Sequence, residues 1–482
     1  MKVKARWKRI GIGMLAAALL LSQPMQMVHA EEGENAEAAA AEEAVNAEGN
    51  SEEKTAEQIA AEEAAKKQAS YDTQPDTNGL EGWPTGPNVY AGSAIIMDMD
   101  SGAILYGKQI DEKRYPASIT KLLTVLVALE NAKLTDKITF TDDCINFLEW
   151  DDANIGIRNG EELSLEDSLY GILLASANEV SYAVAKNVGE KLGIGYDGFI
   201  ELMNERAEEL GCTNSHWVNA NGLHDENHYT TAHDMALIAS AVYQQEEFQK
   251  IEQTLEYKIG KTNLVDEERV LDQNHKMLWP ENYYYYQYAK GGKTGYTDQA
   301  KTTLVTMADN GSMRLAAVVL VDYGVDAYED TRSMFDYGFA NFKKVMLSEQ
   351  QKSEDIESFT DSEAYVVLPD TVDFANVDCE IQAATDGKDA DTATAVYTYQ
   401  GNVVGEAEVQ VSDTYKEKQS ADTNTKTSSK KLFQKKTTAN GNVSWKSYLP
   451  LIVMGVITVA ILFVFLPIWM RIQRKRRQNR RR

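Results

Sequence analysis

Apolar and polar positions fall into blocks whose period changes several times along the chain. Ser93–Asp98 (SAIIMD) and residues 103–108 (AILYGK) are short apolar runs separated by Met99-Asp100-Ser101-Gly102, the composition of two strands and a turn. Over residues 118–131, Leu122, Leu123, Val125, Leu126, Val127 and Leu129 cover nearly every face, which predicts a buried central helix. Further helices are expected over residues 165–188, 196–210 and 232–243. Strands return at 302–308 and 313–321, flanking Asp309-Asn310-Gly311; an Asn-Gly pair between apolar runs is a strong hairpin signal. With a strand around Lys293, the pattern predicts an α+β fold: an antiparallel sheet of about five strands, with helices inserted between its halves. Residues 364–368, 379–383, 393–399 and 406–411 then read as short strands, with turns at Asp386-Gly387 and Gln400-Gly401, and predict a small all-β domain.

The ends are compositionally distinct. Residues 1–30 combine a basic start, an apolar run over 10–21 and the small-residue pattern Val28-His29-Ala30, as expected of a secretory signal peptide. Residues 31–80 are mostly an acidic low-complexity linker, with a helical stretch expected over 55–67. Residues 448–470 carry no charged side chain; at ~1.5 Å per residue they reach roughly 34 Å, the length of a membrane-spanning helix. Eight Lys and Arg residues follow within 471–482, which marks a cytoplasmic side. The expected layout is therefore a leader (1–30), a linker (31–80), a first folded domain (81–350), the β domain (351–413), a flexible stalk (414–447), the span (448–470) and a basic tail (471–482). The folded part would sit outside the cell, tethered at its C-terminal end.

The 482 residues exceed one ordinary core, in keeping with that division. A net charge of −26 argues against polyanion binding, so no nucleic-acid partner is expected. Three cysteines, Cys144, Cys212 and Cys379, do not define a disulfide framework, and none lies in a nucleophile pattern with histidine. His224, His228 and His233 have near-ligand spacing, but the bland reading, a polar connection packed near the helices, is preferred; neither metal nor cofactor is expected.

Three short segments carry chemistry when taken in order. In Ser118-Ile119-Thr120-Lys121, a helix places positions i and i+3 on one face. Apolar neighbours Ile119, Leu122 and Leu123 desolvate Lys121, which disfavours its ammonium form and makes it a base for the Ser118 hydroxyl. Ser118 also stands at a helix start, where developing negative charge is stabilised. Ser176-Ala177-Asn178 interrupts an apolar helical run and is either a local cap or the wall of a site. Lys293-Thr294-Gly295 follows Gly291-Gly292; glycines admit a close backbone approach, and a lysine with a threonine suits a terminal carboxylate.

This ordered S-x-x-K, S-x-N and K-T-G set resembles that of the penicillin-binding proteins and serine β-lactamases. The likeness extends through YPASITKLLT (115–124), LLASANEVSYAVA (173–185), HWVNANGLHDENHYTTAHDMALIA (216–239) and GGKTGYTDQA (291–300). On these residues the chain is similar to the low-molecular-weight penicillin-binding proteins of serine peptidase family S11, the D-alanyl-D-alanine carboxypeptidases. The resemblance implies Ser118 as nucleophile, Lys121 as general base, Ser176 as proton shuttle and Asn178 as a peptide ligand. It implies Lys293, Thr294 and Gly295 as the carboxylate-binding strand, and the amides of Ser118 and Tyr296 as an oxyanion hole. The partners it implies are peptidoglycan stem peptides ending in D-Ala-D-Ala, with β-lactams as inhibitors. Glu179 departs from the family's usual Asp, and a full span departs from the surface-lying helix of many relatives. A serine β-lactamase, a D,D-endopeptidase on the same fold, and a non-catalytic wall-binding protein remain as alternatives.

Overall fold

The computed structural model describes residues 55–383 and 391–419. The chain divides into two units, Met1–Glu63 and Ala64–Arg482, and the sheets and the candidate site all belong to the second. The expected leader, the turn at 386–387, the span and the basic tail lie outside the described residues. Among the described residues no helix is long and apolar enough to cross a membrane.

Helix α1 (Ala56–Asp72) leads in, followed by strands β1 (Ser93–Asp98) and β2 (Ile104–Lys108). The helices come next: α2 (Lys121–Asn131), α3 (Leu165–Leu173), α4 (Asn178–Leu192), α5 (Gly195–Glu209) and α6 (Ala232–Tyr243). Strands β3 (Ala289–Thr297), β4 (Lys301–Asp309) and β5 (Arg314–Asp322) then complete the sheet, and helix α7 (Asp326–Asn341) packs on it. Strand order is β2-β1-β5-β4-β3, antiparallel throughout, so the halves of the sheet come from opposite sides of the helical insertion. The Lys293 strand, β3, lies at an edge, where one row of backbone groups has no sheet neighbour.

α2 is buried from Lys121 through Ala128, as an all-round apolar helix must be. The Asn310 side chain accepts from the amides of Ser312 and Met313, and Gly311 takes φ +85°, which closes the expected β4–β5 hairpin. Two expected helices are corrected. The single helix over 165–188 is broken: α3 ends at Leu173 and α4 starts at Asn178, because Ser176 adopts φ +60°. A left-handed residue cannot continue a right-handed helix. The helix expected from 118 begins instead as a 3₁₀ turn, Ala117–Thr120, entered through Ala117 at φ +52°. The described structure also orders residues of the expected linker: Lys108 Nζ, fully buried, donates to the carbonyls of Ser70 (2.7 Å), Val89 (2.9 Å) and Ala91 (2.7 Å).

Beyond α7, strand β6 (Phe342–Met346) pairs with β8 (Tyr365–Pro369). A four-stranded antiparallel sheet follows, built from β7 (Ile356–Phe359), β9 (Asp378–Ala383), β10 (Thr392–Tyr399) and β11 (Asn402–Val411). Gln400 (φ +51°) and Gly401 (φ +85°) turn β10 into β11, the left-handed pair a tight hairpin needs. This sheet shares a core with the first one. Trp83 packs against Phe342 (5.1 Å between rings) and Tyr399 (6.1 Å), and the Asn402 side chain donates to the Ile104 carbonyl (2.9 Å). Buried residues on both sides of 350/351, Leu347 and Ile356 among them, belong to one hydrophobic cluster.

Candidate active site

Ser118 and Lys121 meet where the 3₁₀ turn enters α2. Lys121 is wholly buried, and its Nζ lies 2.9 Å from Ser118 Oγ, 2.7 Å from Asn178 Oδ1 and 2.6 Å from the Asn221 carbonyl. Burial pushes its pKa well below the ordinary lysine value, and the nearby Lys293 cation pushes the same way. A neutral amine has two N–H groups and one lone pair. Asn178 Oδ1 and the Asn221 carbonyl can only accept, so the lone pair is left for the Ser118 O–H. Ser118 itself is half-buried and opens onto a cleft.

The turn that carries Ser118 is braced from three sides. His228 Nδ1 accepts from the Val218 amide (3.1 Å), which leaves the proton on Nε2, 2.8 Å from Thr120 Oγ1. Thr120 in turn donates to the Ala117 carbonyl (2.8 Å). Burial lowers the His228 pKa to about 3, so the ring is a neutral, fixed donor. Thr303 on β4 donates to the Pro116 carbonyl (2.8 Å). Gly222, at φ +87°, lies so close that a Cβ there would fall 1.9 Å from the Ala117 carbonyl oxygen. His224 stacks edge-on against Tyr115, and His233 faces Asp111 at 3.7 Å; the three histidines thus serve three different places.

The other two segments converge on the same point. The break between α3 and α4 turns Ser176 toward β3, where Lys293 Nζ donates to Ser176 Oγ (3.0 Å) and to the Thr294 carbonyl (2.9 Å). Lys293 is only 1% exposed. Burial lowers its pKa, and the buried carboxyl of Glu252, which accepts from the Gly292 amide (3.1 Å), opposes that shift. Gly295 faces the nucleophile: a Cβ there would sit 2.9 Å from the Ser118 amide nitrogen and 2.4 Å from Thr303 Oγ1. Asn178 Nδ2 also donates to Asp152 (3.4 Å). The cleft above these groups has a volume of about 900 Å³ and is lined by Ser118, Ser176, Asn178, Thr294, Gly295 and Tyr296, among others.

All eight residues singled out from the sequence are therefore gathered at one site. Lys293 does not project into the cleft but lies beneath it on Ser176, and Asn178 turns its carbonyl oxygen to Lys121. Sequence reasoning missed Asn221, Thr303 and Glu252, and it read His228 only as part of a polar connection packed near the helices. The Asn221-Gly222 pair was a legible turn signal, whereas nothing local marks Thr303 as a neighbour of the Ser118 turn or Glu252 as a neighbour of Lys293.

The D-alanyl-D-alanine carboxypeptidase family, peptidase family S11, matches residues 82–323. The D-alanyl-D-alanine carboxypeptidase DacF of Bacillus subtilis is 29% identical over 276 residues, covering 55% of this chain and 66% of that protein. DacB2 of Mycobacterium tuberculosis, which carries the same enzyme name, is 31% identical over 278 residues, 56% of this chain and 88% of its own length. Among solved structures, the Streptomyces K15 DD-transpeptidase aligns over 53% of this chain and all of its own, at 27% identity and a TM-score of 0.49. The chain thus spans just under two thirds of the length of the Bacillus relative.

Proposed function

The chain belongs to the D-alanyl-D-alanine carboxypeptidase family, and on that premise we propose that it is a serine-type carboxypeptidase that removes the terminal D-Ala from peptidoglycan stem peptides. The observation that carries this reading is the 2.9 Å contact between Ser118 Oγ and a desolvated Lys121 amine, opening on a cleft floored by β3.

In the proposed sequence, Ser118 Oγ attacks the penultimate D-Ala carbonyl as Lys121 takes its proton. The amides of Ser118 and Tyr296 stabilise the oxyanion. Lys121 returns the proton by way of Ser176 to the departing amine of the terminal D-Ala, and the C–N bond breaks. Ser176 suits this relay because it sits against Lys293, which holds its hydroxyl in place and keeps positive charge beside it. Water then attacks the Ser118 ester, giving the shortened peptide and free serine. β-Lactams present a strained amide carbonyl at the position of the scissile one and acylate Ser118 in the same way, the ring C–N bond breaking. Glu166 supplies no β-lactamase base: it is paired with Lys250 at 2.9 Å and is not among the residues lining the cleft.

The proposed setting is export by residues 1–30 and anchorage by 448–470, with 471–482 on the cytoplasmic side; the support is compositional. Fluorescent penicillin labelling of the wild type and of Ser118→Ala tests the chemistry. A stable adduct is expected on the wild type alone, with D-Ala released from an acyl-D-Ala-D-Ala peptide. Equal labelling of both proteins would remove Ser118 from the mechanism.

A further inference from the structure

Both motif lysines are withdrawn from the cleft, which raises the question of what meets the negative end of the substrate. Lys121 and Lys293 are 0% and 1% exposed, and their amino groups are already engaged, Lys121 with Ser118, Asn178 and Asn221, and Lys293 with Ser176 and Thr294. The cleft wall is otherwise acidic, with Glu149, Asp151, Asp152 and Asp298 among its lining residues. Among the described residues, Lys276 is the one lysine or arginine that lines it.

The position of Lys276 fits the far end of a dipeptide. It follows His275, whose Nε2 lies 2.9 Å from Thr306 Oγ1, and Thr306 pairs with Gly292 on β3. Lys276 thus stands by the earlier half of β3, whereas the Ser118 amide faces Gly295. A peptide adding to the open edge of β3 in antiparallel sense runs its C-terminus toward lower residue numbers. With its scissile carbonyl at Ser118, its carboxylate falls about one residue further on, roughly 3.3–3.6 Å along the strand, level with Thr294. Lys276 lines the same cleft as Thr294, and its side chain has an aromatic seat: Nζ lies 5.7 Å from the Tyr328 ring centre and 5.8 Å from that of Tyr284, and these two rings stack at 5.2 Å. A cation above aromatic faces, with no carboxylate partner in ion-pair range among the described residues, keeps its N–H donors for a ligand.

We infer that Lys276, with the Thr294 hydroxyl, recognises the terminal carboxylate of the substrate and so sets the preference for peptides with a free C-terminus. This rests on the carboxypeptidase reading above. It assigns the charge-recognising role to a residue outside the three motifs and leaves Lys293 to the proton relay.

The test compares Lys276→Met and Lys276→Arg with the wild type on two ligand pairs: an acyl-D-Ala-D-Ala acid against its C-terminal amide, and benzylpenicillin against its methyl ester, with Ser118 adducts read by mass spectrometry. In Lys276→Met the acid's kcat/KM and the rate of acylation by free-acid penicillin should fall on the order of tenfold, ~1.4 kcal/mol. The amide and ester rates should stay at wild-type values, which also reports that the variant is folded. Lys276→Arg should keep most of the preference. An active wild type whose acid-to-amide and acid-to-ester ratios are unchanged in Lys276→Met overturns this inference alone. A wild type that neither releases D-Ala nor forms an adduct overturns the carboxypeptidase reading and this inference with it.

Discussion

Lys121 illustrates how one residue's chemistry follows from its surroundings. Its amine works only when neutral, and burial together with the nearby Lys293 cation lowers its pKa so that the neutral form is available. Acylation should therefore be lost as pH falls through the depressed Lys121 pKa and recover above it. Removing the Lys293 cation takes away one of the two lowering influences, so in Lys293→Met the acidic limb should move to higher pH; a limb that moves down, measured by penicillin acylation rates, contradicts the assignment. Lys121→Arg keeps the charge but cannot shed a proton. It should reduce acylation by roughly 10²–10⁴-fold, the usual contribution of a positioned base, at every accessible pH.

At the scale of elements, the site depends on two departures from regular geometry. Ser176 breaks what the apolar pattern presents as one helix, and Ala117 opens the 3₁₀ turn; both are non-glycine residues at positive φ. Ser176→Gly separates the two things this residue does. Glycine accepts φ +60° without strain, so stability should remain within about 1 kcal/mol of wild type, while D-Ala release collapses for want of the hydroxyl. Gly222→Ala is the converse case. Its Cβ would land 1.9 Å from the Ala117 carbonyl oxygen in a left-handed conformation. It should lower the unfolding midpoint and slow acylation together, because the turn carrying Ser118 must shift. Unaltered acylation in a folded Gly222→Ala protein would show that this contact does not hold the nucleophile.

Across the whole molecule, the main sheet and the later β sheet share one core, with Trp83 between Phe342 and Tyr399. Hydrogen bonds reinforce the joint: Tyr399 donates to the Glu81 carbonyl (2.8 Å) and Tyr365 to Asp98 (2.9 Å). Calorimetry should therefore show a single unfolding transition for the two sheets. Trp83→Ala should destabilise that transition by about 3–5 kcal/mol, the cost of deleting a buried tryptophan. Two separated transitions, with only one displaced by the substitution, would mean that the sheets unfold independently.

Elements and chemical inventory were legible in the amino-acid order alone. Period and turn chemistry are local, so β1, β2, the β4–β5 hairpin, the buried helix after Ser118 and the β10–β11 turn could be read there, as could the ordered triple of motifs. Which groups face one another emerged only in three dimensions: Lys293 lies under the cleft against Ser176, His228 and Gly222 brace the nucleophile's turn, and Lys276 is left as the cation on the cleft wall. These relations join residues far apart in the chain. Hydrophobic pattern fixes the face on which a side chain lies, but close packing against distant segments fixes what it meets there.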